Sequence, residues 1–153
     1  MSNIPDHNQR SRVIRVLLVD DHTMIREGLR SLLEEYPNLQ VVGEAANGEE
    51  AVMLVQTLRP SVVVMDINMP GMNGIQATET IKRQNAEIPI IGLSVNGDEH
   101  KNAILRAGAR LFVSKEAAGE RLYMAILEAV STPTVQRAVA VVMSIQEATQ
   151  GER

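Results

Sequence analysis

The stretch SVVVMDINMPGMNGIQATETIK, residues 61–82, holds one complete structural unit. Val62 to Met65 form an apolar run of strand length, rich in β-branched residues, which is the pattern of a strand buried on both faces. Asp66 ends that run. The loop that follows, Asn68-Met69-Pro70-Gly71-Met72-Asn73-Gly74, is crowded with turn formers. Asn73 and Gln76 then have capping-box spacing, and Ile75, Thr78 and Ile81 recur with helical period. Outward from this unit the same alternation repeats. Apolar runs stand at VIRVLLV (13–19), LQVVGEA (39–45), IPIIGLS (88–94) and RLFVS (110–114). Helical stripes fall between and after them: Ile25, Leu29, Leu32, Leu33 and Tyr36; Ala51, Leu54, Val55 and Leu58; Ala103, Ile104 and Ala107; Leu122, Ala125, Ile126 and Ala129. Asn47 and Glu50 repeat the capping-box spacing, and Gly108 stands where a helix would stop. Five β-α units with nearly all-apolar strands predict a doubly wound, three-layer α/β domain built on a five-stranded parallel sheet.

In such sheets ligands sit beyond the carboxyl ends of the strands. There the first strand runs into Asp20 and Asp21, the third into Asp66, the fourth ends at Ser94, and the fifth is followed by Lys115. An Asp after a strand ordinarily caps a helix or makes a turn. Four strands delivering polar groups to one edge is a different matter. Carboxylates brought together repel by about 4 kcal/mol per pair at ~4 Å and an effective dielectric of 20. Lys115 supplies one compensating charge, and a hard divalent cation would supply the rest. Mg2+ suits oxygen donors of this kind. His7, His22 and His100 lack ligand spacing, which speaks against Zn2+. An Asp in such a place can act as a nucleophile and form an aspartyl-phosphate. Its partners would be a metal, a lysine and a hydroxyl donor such as Ser94. Asp66 is the candidate nucleophile, because the turn-rich loop after it can aim a backbone carbonyl at a cation. Arg26 and Arg30, four apart, read as a solvated helix face.

Composition narrows the function classes. The 153 residues carry 19 acidic and 15 basic side chains, a balance of −4, which argues against a general nucleic-acid binder. With no cysteine, disulfide frameworks, thiolate metal sites and Cys nucleophiles are excluded; a cytoplasmic, reducing compartment fits. Aromatic content of 2% disfavours base-stacking platforms. No apolar run approaches the roughly 18 residues of a membrane span, and the polar first dozen residues do not read as a signal peptide.

The strings VLLVDDHTMIREGLRSLLE, VVVMDINMPGMNGIQA, IIGLS and LFVSK together resemble the receiver domain of two-component response regulators, in order and spacing, over about residues 13–131. The Asp-Asp-His opening is similar to that of LuxR/FixJ-type receivers. The resemblance implies a flavodoxin-like strand order 2-1-3-4-5. It implies phosphorylation at Asp66, direct Mg2+ ligation by Asp21, Asp66 and the Asn68 carbonyl, and Asp20 acting through water. Lys115 would contact the phosphoryl group, Ser94 would turn toward it, and Phe112 would be the switch aromatic. The implied partner is a sensor histidine kinase or a histidine phosphotransfer protein, which makes the chain a phosphoacceptor switch rather than an enzyme. Departures from the family pattern are Ser94 for the commoner Thr and Glu116 where many members have Pro. Asn68 and Asn96 occupy positions that tune dephosphorylation in this family.

The expected layout is a flexible arm at 1–12, the receiver at 13–131 and a helical extension or linker at 132–153. Thr132-Pro133 starts a helix well, and Val135, Ala138, Val139, Val142, Met143 and Ile145 give it an apolar face. That helix either packs on its own domain or serves as a linker or homodimer element. The extension is too short for a helix-turn-helix output domain, so no direct nucleic-acid contact is expected from this chain. It reads as a lone or truncated regulator or as part of a hybrid sensor kinase, with GLSVN and SKEAAGERLYMAI leaning toward the kinase. The rival enzyme reading is a haloacid-dehalogenase-like phosphatase with Asp66 as nucleophile; Asn68, where that family needs a second acid, counts against it.

Overall fold

The computed structural model describes residues 13–95 and 97–131, with the single positions 142, 145 and 146. The expected arm at 1–12, Asn96 and, those three positions apart, the 132–153 tail lie outside the described residues. Five strands, β1 (Ile14–Val19), β2 (Leu39–Ala45), β3 (Val62–Asp66), β4 (Ile90–Ser94) and β5 (Leu111–Ser114), alternate with five helices. These are α1 (Thr23–Glu34), α2 (Gly48–Leu58), α3 (Gly74–Gln84), α4 (Gly97–Ala107) and α5 (Ala118–Val130), with a 3-10 turn at Lys115–Ala117 leading into the last. The strands pair in parallel in the order β2-β1-β3-β4-β5, the flavodoxin-like order expected. β4 begins at Ile90 and not at Ile88: Pro89 has no N–H to give a ladder, although its carbonyl accepts from Val63 N at 3.0 Å.

Side chains alternate between the two faces of the sheet, and each face makes its own core. Val16, Leu18, Val64 and Leu93 pack beneath Leu33 of α1 and Leu122, Ile126 and Ala129 of α5. Leu17, Val19, Val63 and Met65 pack beneath Ala51 and Val55 of α2, Ala77 and Ile81 of α3 and Ile104 of α4. Because β3 is buried along its whole length and apolar up to its last residue, Asp66 carries the first polar side chain of that strand. On the α1–α5 face, Tyr36 and Tyr123 stack with ring centroids 3.8 Å apart, and the Tyr123 hydroxyl donates to Asn38 Oδ1.

The helix starts behave differently from one another. Asn73 and Gln76 form the full reciprocal box. Asn47 accepts from Glu50 N at 2.8 Å, but the Glu50 carboxylate passes over the cap and takes Ala46 N. Val142 and Ile145, two positions of the apolar face expected in the tail, are exposed. No helix among the described residues is long and apolar enough to cross a membrane.

Candidate functional site

The carboxyl edge of the sheet gathers what the sequence placed there. Asp20 leaves β1 and is 1% exposed; Asp66 ends β3 and is 1% exposed; Ser94 ends β4 and is fully buried. Lys115 opens the 3-10 turn after β5, held by Ser114 Oγ, which caps that turn through Ala117 N. Its Nζ lies 2.9 Å from Asp20 Oδ2 and 3.2 Å from Asp66 Oδ1. Asp21 is more open, and an oxygen from each of Asp20, Asp21 and Asp66 falls within 4.8 Å of the others. Phe112 of β5 is half-buried and packs on the α2–α3–α4 core.

A glycine closes the floor. Gly74 N donates to Ile67 O at 2.9 Å, so the 67–74 loop folds back on itself at the end of β3. A Cβ at Gly74 would overlap the Asp66 carbonyl oxygen and the Ile67 Cα, so only glycine allows this approach. The loop also turns Asn68 N toward Asp66 Oδ1, at 3.3 Å.

The electrostatics are unbalanced. Burial pushes the Asp66 carboxyl up to about 6, and the nearby Asp20 adds to that; Lys115 and the Asn68 N–H oppose it. Burial draws the Lys115 ammonium down, but Asp20 and Asp66 outweigh it and hold the group above its ordinary value. One cation thus serves two buried carboxylates. Asp66 Oδ2 is buried with neither a hydrogen bond nor an ion pair among the described residues. A polar atom left so is costly unless a ligand completes it. Three carboxylates presenting hard oxygens, one of them unmatched, fit a Mg2+-type cation.

Four residues make contacts at or beside the site that were not expected. The His22 imidazole sits 3.3 Å from Asp20 Oδ1 and 3.1 Å from Asp21 Oδ1, while its backbone N–H donates to Asp20 Oδ1 at 2.8 Å. Its place directly after the two aspartates was the available signal. Arg26 is not part of a solvated face. It is largely covered, donating from Nη1 to the Asp20 carbonyl at 2.6 Å and pairing through Nε with Glu44 of β2 at 3.1 Å. Arg30 joins the same Glu44 and also Glu34. His100 of α4 places Nδ1 3.0 Å from Ser94 Oγ. No spacing in the sequence announces the Arg26 or His100 contacts, since both link separate elements of the fold.

Comparison with known proteins bears on the fold that carries this site. Residues 16–127 match the family model described as response regulator receiver domain. The response regulator UvrY of Escherichia coli (strain K12) is 44% identical over 115 residues, which is 74% of this chain and 53% of UvrY. The chain therefore spans about half the length of such relatives. Among solved structures, the response regulator domain of Thermotoga maritima CheB matches with a TM-score of 0.74 and 33% identity, covering 80% of this chain and all of that one. The CheX–CheY–BeF3–Mg2+ complex from Borrelia burgdorferi matches with a TM-score of 0.72 and 25% identity, covering 78% of this chain and 90% of that one. The Asp-Asp pair, Asp66, Ser94 and Lys115 thus sit together at the edge of a sheet whose family is recognised over most of the described chain, and the chain belongs to the receiver domains of two-component response regulators.

Proposed function

We propose that the chain is a Mg2+-dependent phosphoacceptor switch whose acceptor is Asp66. The observation that carries this reading is the Asp66 carboxylate itself: buried, sharing Lys115 with Asp20, with Oδ2 unmatched. With its pKa near 6, Asp66 is ionised at neutral pH and so available as a nucleophile. An Asp66 oxygen forms the new P–O bond as the P–N bond of a partner's phosphohistidine breaks, and the departing imidazole nitrogen keeps the electron pair. Asp21, Asp66 and the Asn68 carbonyl would hold the metal, with Asp20 acting through water; when bound, the ion neutralises charge on the phosphoryl oxygens. Lys115 pairs with those oxygens from the other side, which fits its position between Asp20 and Asp66.

Ser94 and Phe112 are the switch residues in this reading, and the surface around them changes population when Asp66 is loaded. The donor is a sensor histidine kinase or a histidine phosphotransfer protein. The Borrelia complex holds Mg2+ together with BeF3, which is consistent with the same ligand pair here. The receiver is carried by residues 13–131, with 132–153 as an extension. UvrY is a response regulator, which favours a regulator over a hybrid kinase as the parent context. Membership in the receiver family leaves the dehalogenase-type phosphatase without support.

Incubation with Mg2+ and acetyl phosphate, followed by intact mass measurement, tests the proposal. A phosphoryl adduct is expected in the parent chain and not in Asp66→Asn. Absence of an adduct in the parent, with histidine kinases as donors as well, would overturn it.

A further inference from the structure

The N-terminal half of α4 is attached to the sheet by a contact of a different kind from the rest of the helix. Ile104 is fully buried and lies so close to β4 that a Cβ at Gly92 would come within 2.9 Å of its Cγ1. That contact is apolar and close-packed, and it has nothing to exchange with. His100, one turn earlier on the same face, is half-buried and meets Ser94 Oγ through Nδ1 at 3.0 Å. Ser94 belongs to the same strand as Gly92, and its neighbour Leu93 pairs with Asp66 across the sheet. This polar contact of α4 therefore ends on the hydroxyl assigned above to the phosphoryl group.

A serine hydroxyl has a single proton to donate. With the Nε2–H tautomer, Oγ–H donates to His100 Nδ1 and that proton is engaged. With the Nδ1–H tautomer, the imidazole donates to Oγ. In both cases the contact requires the present Ser94 rotamer, and turning the hydroxyl to a new partner breaks it.

We propose that His100 is a positioning residue that holds Ser94 in the unloaded protein, so that loading Asp66 competes with His100 for the hydroxyl and releases the first turns of α4. The inference rests on the reading of Asp66 as phosphoacceptor. It makes the unloaded state one with a specific side-chain latch between β4 and α4, while the Gly92–Ile104 contact keeps the far half of the helix in place. His100 touches neither Asp20, Asp21 nor Asp66 in any contact described, so its effect passes through Ser94 alone.

The full chain with Mg2+ and beryllium fluoride, titrated by NMR or calorimetry, tests this. His100→Ala should tighten beryllium fluoride binding by about 3- to 10-fold, the equivalent of losing one ordinary hydrogen bond from the unloaded state. His100→Asn, whose Oδ1 can accept from Ser94 in place of Nδ1, should stay within about two-fold of the parent. In a Ser94→Ala background the His100→Ala effect should vanish. A readout without ligand accompanies these: the His100 imidazole nitrogen shifts should move in metal-free Ser94→Ala, and should move in the parent when beryllium fluoride binds. Equal affinities for parent and His100→Ala overturn the latch, as does an effect that persists in Ser94→Ala or an imidazole indifferent to Ser94→Ala. Those results leave the phosphoacceptor reading standing wherever the parent still binds beryllium fluoride. A parent that takes up neither beryllium fluoride nor a phosphoryl group overturns both.

Discussion

The two ends of the sheet handle charge in opposite ways. At the amino end, cations close the backbone. Lys82 Nζ donates to the carbonyls of Ala86 and Ile88 at 2.7 and 2.9 Å, Arg15 to the Arg59 carbonyl at 2.9 Å, and Arg110 to the Ala129 carbonyl at the end of α5. These three cations are satisfied by the chain itself, each at the carboxyl end of a helix, where positive charge is favoured. At the carboxyl end, Asp20 and Asp66 are buried around a single lysine, and Asp66 Oδ2 has no partner among the described residues. The same fold thus completes its polar groups at one end and leaves them incomplete at the other. Completed groups stabilise; incomplete ones cost stability and bind ligands.

That contrast can be broken from either side. The largest expected effect is Lys115→Met, which leaves two buried carboxylates without their cation and should cost about 3–5 kcal/mol at pH 8. Urea unfolding in chelator measures it. The cost should shrink below pH 6, where Asp66 takes up a proton. Next comes Gly74→Ala. The added methyl must displace the Asp66 backbone, and a loss of about 1–3 kcal/mol is expected together with weaker Mg2+ binding. A similar stability loss with unchanged Mg2+ affinity would show that the 67–74 loop does not set the site's geometry.

Asp66→Asn acts in the other direction. The folded-state pKa of Asp66 is raised from 3.8 to about 6, so the folded protein binds more protons than the unfolded chain in that window. Stability is then fully present below pH 3.8 and falls as pH rises through about 6. Removing the charge should raise the metal-free melting temperature at pH 7.5 by about 2–6 °C, while leaving it unchanged at pH 3.5. Scanning calorimetry with EDTA checks both values. Mg2+ should shift in parallel, its affinity falling as pH drops through 6 because the proton and the metal compete for one carboxylate. The smallest effect belongs to the amino end. Arg110→Met should cost only about 1 kcal/mol and leave Mg2+ affinity unchanged, because it removes one part-buried hydrogen bond at the end of the sheet opposite the carboxylates.

What could be read from the residues follows from the same division. β3 is apolar to its last residue before Asp66, so strand, strand end and candidate acceptor were all visible in one run. Asn73 with Gln76 was legible for the same reason: its reciprocal bonds join residues three apart. Asn47 with Glu50 has identical spacing, yet Glu50 bonds Ala46 N, because the geometry of the preceding backbone decides which amide is within reach. Arg26 looked solvated because nothing in α1 reveals that Glu44 of β2 and the Asp20 carbonyl lie beneath it. His100 was hidden in the same way: its role depends on where α4 lands on β4. Contacts within a unit were legible, and contacts between units had to wait for the sheet order.

The Tyr36–Tyr123 stack has a practical consequence. With no tryptophan and two tyrosines in the chain, this pair accounts for the tyrosine emission of the protein, and it sits on the α1–α5 face. Neither ring belongs to the cluster of Asp20, Asp21, His22 and Asp66. Intrinsic fluorescence therefore reads the α1–α5 seam coming apart. A tryptophan placed at exposed Val95, beside Ser94, would supply a second and spectrally separate reporter, so that melting and ligand uptake are followed in one cuvette at two wavelengths.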